Sequence, residues 1–335
     1  MIVRGKAPLR LSFAGGGTDV SPFPESEGGA VLSATIDRYA YGSLHPRSDG
    51  QVNIDSVDFG AQVGFHLHDE VVFDGQLDLV KAAIKRLGGG TMEGYDLVLR
   101  TNAPPGSGLG SSSTMMVALV ALLQDHYRLP LGEYEIAELA WQIERLDLGI
   151  KGGLQDHYAA TFGGFNFIEF GDRVVVNPLR IRDDVVNELE VNLLLCYTGV
   201  SRESARVIED QTARVTAAND ETLSGLRAQK VLAVEMKTAL LRGRLNEFGE
   251  LLSQAWEQKK RMSPLISTAR VEEVHAEAVK HGARGGKVTG AGGGGYILFY
   301  CDFSRQHIVR AALERMGCVI SDFAFASKGV TTWRA

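Results

Sequence analysis

The sequence predicts an α+β protein. Period-two apolar patterns fill the segments 2–13, 30–44 and 51–57, and helical spacing dominates much of the chain from residue 204 to 281. The strands come first, and mixed helices and strands follow, which is not the regular alternation of a doubly wound sheet. At roughly 150 residues per domain, 335 residues suggest two domains. A composition shift places the boundary near residue 190, giving 1–190 and 191–335.

Residues 2–13 read as a strand running into the glycine cluster at 15–17. Strands follow at 30–44 and 51–57, where Val52 and Ile54 alternate. Leu77–Leu87 has helical spacing and stops at Gly88. Tyr95–Arg100 is a short strand leading into TNAPPGSGLGSSS. Thr114–His126 is helix-compatible. Glu133–Leu146 is an amphipathic helix with Ile136, Leu139, Ala140 and Ile143 on one face. A further helix runs from Leu154 to Gly163, before strands at Phe165–Phe170 and Arg173–Val176. Glu190–Tyr197 reads as a buried strand. Helices are expected at 204–216, 221–241, 245–260, 271–281 and 308–316, with strands at Tyr296–Tyr300 and Phe323–Ala326.

Composition bounds the function. Hydrophobic residues make up 44 % and charged residues 23 % of the chain, the balance of an ordinary globular protein. A net charge of -6 without a Lys/Arg cluster argues against nucleic acid as a bulk partner. Cys196, Cys301 and Cys318 lack zinc spacing and read as buried thiols. No signal peptide is read at the N-terminus, and no apolar run approaches the roughly 20 residues that span a bilayer. The expected compartment is the cytoplasm, with no membrane partner. Oligomeric state is left open, a homodimer included.

Glycine is the outlier, with 39 residues concentrated in four clusters. The richest in chemistry is PPGSGLGSSST, from Pro104 to Thr114. A strand, a glycine loop and a helix in that order put unpaired N–H groups and the positive end of a helix dipole at one point. Gly106, Gly108 and Gly110 let phosphate oxygens approach the backbone, and Ser111, Ser112 and Ser113 add hydroxyls. The GK at Gly286–Lys287 is no Walker A loop, because Val288 follows it and His281 stands where the first glycine belongs. The spacing GxGxG is not the dinucleotide fingerprint GxGxxG. An ordinary helix cap is the bland alternative for a lone loop of this kind.

The loop resembles the central motif of the GHMP kinases. APLRLSFAGGGTD, from Ala7 to Asp19, resembles their first motif, and KVTGAGGGGYILFY, from Lys287 to Tyr300, their third. Within that family GGGTD, ATIDRYAY at 34–41 and GGLQDHYAATFGG at 152–164 are most similar to kinases of heptose 7-phosphate. The resemblance implies a ribosomal-protein-S5-domain-2-like N-terminal domain and a ferredoxin-like C-terminal domain. It also implies ATP with Mg2+, and transfer to the anomeric hydroxyl of D-glycero-D-manno-heptose 7-phosphate, on the way to nucleotide-activated heptose. Another sugar (unphosphorylated heptose, fucose or arabinose) and a catalytically silent sugar or nucleotide sensor are the alternatives. Nothing suggests a diphosphomevalonate decarboxylase.

The resemblance assigns roles to residues. Asp156 is the expected catalytic carboxylate, although an Asp near a helix start is ordinarily a cap. Arg10 is the basic residue of the first motif, with Lys6 competing. Pro105, Gly106, Ser107, Gly108, Leu109, Gly110 and Ser111–Ser113 are expected at ATP. Glu144 and Ser112 are expected at magnesium, with Ser111 or Ser113 as other registers; by itself Glu144 reads as a surface residue. Gly17, Thr18, Asp19, Gly292 and Gly293 are expected at the sugar. Arg202, Lys259, Lys260 and Arg261 are candidates for an acceptor phosphate, each also readable as a solvated charge. His66 and His68 alternate along a strand without further metal ligands.

Overall fold

Two sheets organise the computed structural model, which describes residues 1–88, 93–104, 106–200 and 204–335. The larger sheet is built from β1 (Val3–Ala14), β2 (Gly29–Arg47), β3 (Gln51–Ser56), β4 (Ala61–His66) and β5 (Gly94–Thr101), with a short α1 (Phe23–Glu27) and then α2 (Asp78–Leu87) in the connections. Next come α3 (Ser111–Tyr127), α4 (Glu133–Trp141), a π-helical turn at Gln142–Asp147, α5 (Gln155–Phe162), β6 (Phe165–Phe170) and β7 (Val175–Pro178). The second half holds α6 (Asp183–Asn192), β8 (Leu193–Tyr197), α7 (Ser204–Thr216), α8 (Asp220–Leu241), α9 (Leu245–Lys260) and α10 (Ala269–Lys280). It ends with β9 (Ala283–Val288), β10 (Tyr296–Cys301), α11 (Phe303–Arg315), β11 (Val319–Ser321) and β12 (Thr331–Arg334).

The first sheet has the order β12-β1-β2-β5-β3-β4. β2 is long enough to serve two neighbours on one edge. Its residues 29–34 pair β6, which continues to β7, and its residues 40–47 pair β5. The second sheet is antiparallel, in the order β11-β8-β10-β9. That is the ferredoxin-like order the family resemblance implied. β12 returns from the second half to pair residues 3–6 of β1.

A register shift against β2 between Pro8 and Arg10 sets the direction of the Arg10 side chain. Before it, Val3 and Ala7 join the core beneath α3. After it, Leu9, Leu11 and Phe13 join the core shared with α8, α9 and the second sheet. An irregularity of this kind changes which side chains face which layer. It leaves Arg10 on the side of α5 and the glycine loop.

Several elements differ from expectation. Residues 183–192 form a helix, so only Leu193–Tyr197 of the expected strand is a strand. β9, with the sequence ARGGKV, has weak strand propensity, yet its glycines are needed: a Cβ on Gly285 would lie 2.0 Å from the carbonyl oxygen of Gly249. Phe323–Ala326 contributes one bridge, Ile36 to Phe325, and the closing strand is β12. β4 ends at His66, so His68 lies beyond the strand. Among the described residues no helix is long and apolar enough to cross a membrane.

Candidate active site

Glycines and serines of the loop open α3 without a side-chain cap. The first helical bond runs from Thr114 N–H to the Gly110 carbonyl at 2.9 Å, so the N–H groups of Ser111, Ser112 and Ser113 have no partner within the helix. Gly106, Gly108, Gly110 and Ser111–Ser113 line a cavity of about 560 Å³. Ser107 and Leu109 alternate away from it and are fully buried. Pro105 lies outside the described residues. Gly108 and Gly110 both have left-handed backbone, at φ 84° and 76°. A Cβ on Gly108 would lie 2.5 Å from the Thr289 carbonyl oxygen, and one on Gly110 would lie 3.0 Å from the Asp156 carboxylate. Only glycine therefore permits the loop to sit between the third glycine run and Asp156. The Tyr296 N–H donates to the Ser107 carbonyl at 3.0 Å, so that run braces the loop.

Asp156 stands in the first turn of α5. Arg10 donates to its Oδ1 from Nε at 2.7 Å and reaches the same oxygen with a terminal nitrogen at 2.6 Å. The other terminal nitrogen donates to the Gly108 carbonyl at 2.7 Å. One buried guanidinium thus ties the first motif, the loop and α5 together. Lys6, the competing basic residue, instead lies over the Tyr39 ring at 4.4 Å.

Glu144 lies in the π-helical turn, where Leu148 N–H bonds the Ile143 carbonyl in an i→i+5 step. It is fully enclosed, contrary to the surface position its sequence neighbours suggest. Ser112 Oγ donates to Oε1 at 2.6 Å, and Ser113 Oγ donates to Oε2 at 2.7 Å. His157 Nε2 lies 2.7 Å from Oε2, and Arg145 lies 3.3 Å from it. Burial pushes this carboxyl up, but the bonds from His157 and Ser112 and the charge of Arg145 outweigh it and hold Glu144 at about 2. Among the described residues no cluster of three or more His, Cys, Asp or Glu could hold a metal. Magnesium bound with a nucleotide needs only a few protein oxygens, and Ser112 Oγ beside an ionised Glu144 is an oxygen pair of that kind.

Asp19 anchors the start of α5. Its Oδ1 accepts from Gly17 N–H at 3.0 Å and Gln155 Nε2 at 3.1 Å, and its Oδ2 accepts from Gln155 N–H at 3.0 Å. Asp19 and Gly17 line the cavity. Thr18 does not: it is buried, and its hydroxyl donates to the carbonyls of Gly15 and Ala30, locking the turn. Gly292 and Gly293 also depart from expectation. They pack on Ile266, whose carbonyl accepts from Gly293 N–H at 2.7 Å, while Gly290 and Ala291 form the cavity wall. Arg202 lies outside the described residues. Lys259 reaches the cavity, whereas Lys260 pairs with Glu257 and Glu272, and Arg261 bonds Gln258.

Sequence reasoning missed Arg145, Gln155 and His157. Gln155 and His157 flank Asp156 on α5, but only the packing of α5 against the π-turn and the first-motif turn shows which of them matter. The His66 and His68 rings lie 5.0 Å apart, tilted by 30°, outside the cavity lining, and belong to no group of three or more metal-ligating side chains among the described residues.

The model for the GHMP kinases N terminal domain matches residues 78–164, and that for the GHMP kinases C terminal matches residues 236–317. A D-glycero-alpha-D-manno-heptose 7-phosphate kinase of Campylobacter jejuni is 38 % identical over 99 % of both chains. The crystal structure of a D-glycero-D-manno-heptose 1-phosphate kinase from Bacteroides thetaiotaomicron superposes with a TM-score of 0.84 at 36 % identity, covering 99 % of each chain. An L-fucokinase/L-fucose-1-P guanylyltransferase of Bacteroides fragilis is 28 % identical over 88 % of this chain, which spans 34 % of that larger protein.

Proposed function

The chain belongs to the GHMP kinases and is a sugar kinase, and from that premise we propose that it transfers the γ-phosphoryl group of ATP to the anomeric hydroxyl of D-glycero-D-manno-heptose 7-phosphate. The product is the 1,7-bisphosphate. The observation that carries the reaction is the Arg10–Asp156 pair, set at the same cavity as the open N-terminus of α3. The acceptor is drawn from the full-length similarity to the heptose 7-phosphate kinase.

The N–H groups of Ser111–Ser113 and the dipole of α3 receive the polyphosphate. Asp156 Oδ1 is held by Arg10, which leaves Oδ2 to orient the anomeric hydroxyl and take its proton. A bond forms between that oxygen and the γ-phosphorus as the bond to the β-bridging oxygen breaks, so ADP leaves. Positioning and charge stabilisation carry most of the barrier reduction in such transfers. Ser112 and Glu144 are the residues that would hold magnesium, with Arg145 and His157 fixing the Glu144 carboxylate. The ion, when bound, offsets phosphate charge. Asp19 orders the turn at the sugar end of the cavity.

ADP release with heptose 7-phosphate, unphosphorylated heptose, L-fucose and D-arabinose tests the reading. Heptose 7-phosphate is expected to give the highest kcat/KM. Equal or better turnover of a free sugar overturns the acceptor assignment, and the similarity to the fucokinase makes L-fucose the sugar to compare first.

A further inference from the structure

Lys259 is a buried lysine whose ammonium has no hydrogen-bond partner among the described residues. It sits in the last turn of α9 and is only 3 % exposed. Its ammonium makes no hydrogen bond and no ion pair among the described residues, yet it lines the cavity beside Gly16, Gly17 and Asp19. Nζ lies 3.9 Å from where a Cβ on Gly16 would stand. A Cβ there would also lie 3.3 Å from Ser12 Oγ and 3.5 Å from Gln155 Nε2, so these three polar groups border one gap at Gly16.

The neighbouring cations are already engaged. Arg10 holds Asp156 and the Gly108 carbonyl. Lys287 donates to the carbonyls of Ser12, at 2.8 Å, and Val288, at 3.3 Å. The Asp19 carboxylate accepts three hydrogen bonds from its own turn and α5. An enclosed ammonium without a hydrogen-bond partner is costly, the Asp19 charge offsets only part of that cost, and a neutral sugar hydroxyl adds no charge to it. A phosphate oxygen compensates it. Gly16 and Asp19 of the turn lie beside Lys259, and the Arg10 and Lys287 cations lie near it on β1 and β9.

We propose that Lys259, in the gap left by Gly16, is the subsite for a phosphate group carried by the acceptor. This rests on the sugar-phosphate reading above and adds the residue that enforces it. Lys259 is the member of the Lys259–Arg261 run that turns inward, the other two being bonded outside the cavity.

The test is the ratio of kcat/KM for heptose 7-phosphate to that for unphosphorylated heptose, measured for wild type, Lys259→Met and Gly16→Asp. Methionine keeps the length of the side chain without its charge. Aspartate at Gly16 offers Lys259 a carboxylate in place of the ligand, and the backbone there is not left-handed. Both variants are expected to lower the ratio by roughly 10²-fold, through KM for the phosphorylated acceptor. An unchanged ratio in Lys259→Met overturns the proposal, whether both activities fall together or neither falls. A wild type without preference for the phosphorylated sugar defeats the functional reading instead. Inorganic phosphate then judges the subsite against the sugar actually turned over. Competition with that sugar that is lost in Lys259→Met supports the site, and equal competition in both proteins overturns it.

Discussion

Arg10 meets Asp156 on a single oxygen: Nε and a terminal nitrogen both approach Oδ1, at 2.7 and 2.6 Å. Oδ2 makes no hydrogen bond among the described residues, and the Asp156 side chain keeps 19 % exposure at the cavity. The two oxygens of one carboxylate are therefore divided between fixing its orientation and facing the cavity.

Asp156→Asn keeps the shape of the side chain but removes its basicity. Turnover should fall by roughly 10²–10⁴ with the fold intact. Steady-state ADP release and a thermal melt check this together, and wild-type turnover would remove Asp156 from proton transfer.

Arg10→Lys supplies a charge without the planar fork that reaches Asp156 twice and Gly108 once. It should lose roughly 10–10²-fold in kcat while keeping more thermal stability than Arg10→Met. Equal activity in the lysine variant would show that charge alone suffices.

Alanine at Gly110 sets a methyl group 3.0 Å from the Asp156 carboxylate in a left-handed backbone. At Gly108 the methyl group meets the Thr289 carbonyl at 2.5 Å instead. Gly110→Ala should act mainly on kcat, and Gly108→Ala on KM for ATP, each by roughly tenfold or more. The split between the two kinetic constants separates displacement of the carboxylate from displacement of the loop.

Burial pushes the Lys259 ammonium from its ordinary 10.5 down to about 8, with Arg10 adding to the fall and Asp19 opposing it. A folded pKa below the unfolded one means that the folded state pays for the charge wherever both states hold the proton. That cost is full below pH 8 and disappears as pH rises to 10.5. It amounts to roughly 3 kcal/mol. Ligand-free Lys259→Met should therefore be more stable than wild type at pH 7 by a difference of that order. Urea unfolding across pH 7–10.5 should show the difference shrinking, and a pH-independent difference would contradict an enclosed charge.

Local signals made much of this site legible. A glycine loop between a strand and a helix is readable as a candidate anion site, because the unpaired N–H groups belong to the segment itself. The flanking motifs at 7–19 and 287–300 then named the family. Helices with clear periodicity, such as α4 and α9, were readable for the same reason. What depended on contact between distant segments was not. Glu144 looks exposed in its own helix and is buried because the π-turn packs it against α3 and His157. β12 is four residues of weak pattern that become a strand only on the edge of β1. Lys259, Lys260 and Arg261 are one basic run in sequence, and the packing of α9 alone decides which of them loses water and faces the cavity. Sequence determined the glycine loop and the family, since those reside in backbone and motif. Tertiary structure decided the partners of each charge, since burial is a property of the neighbours.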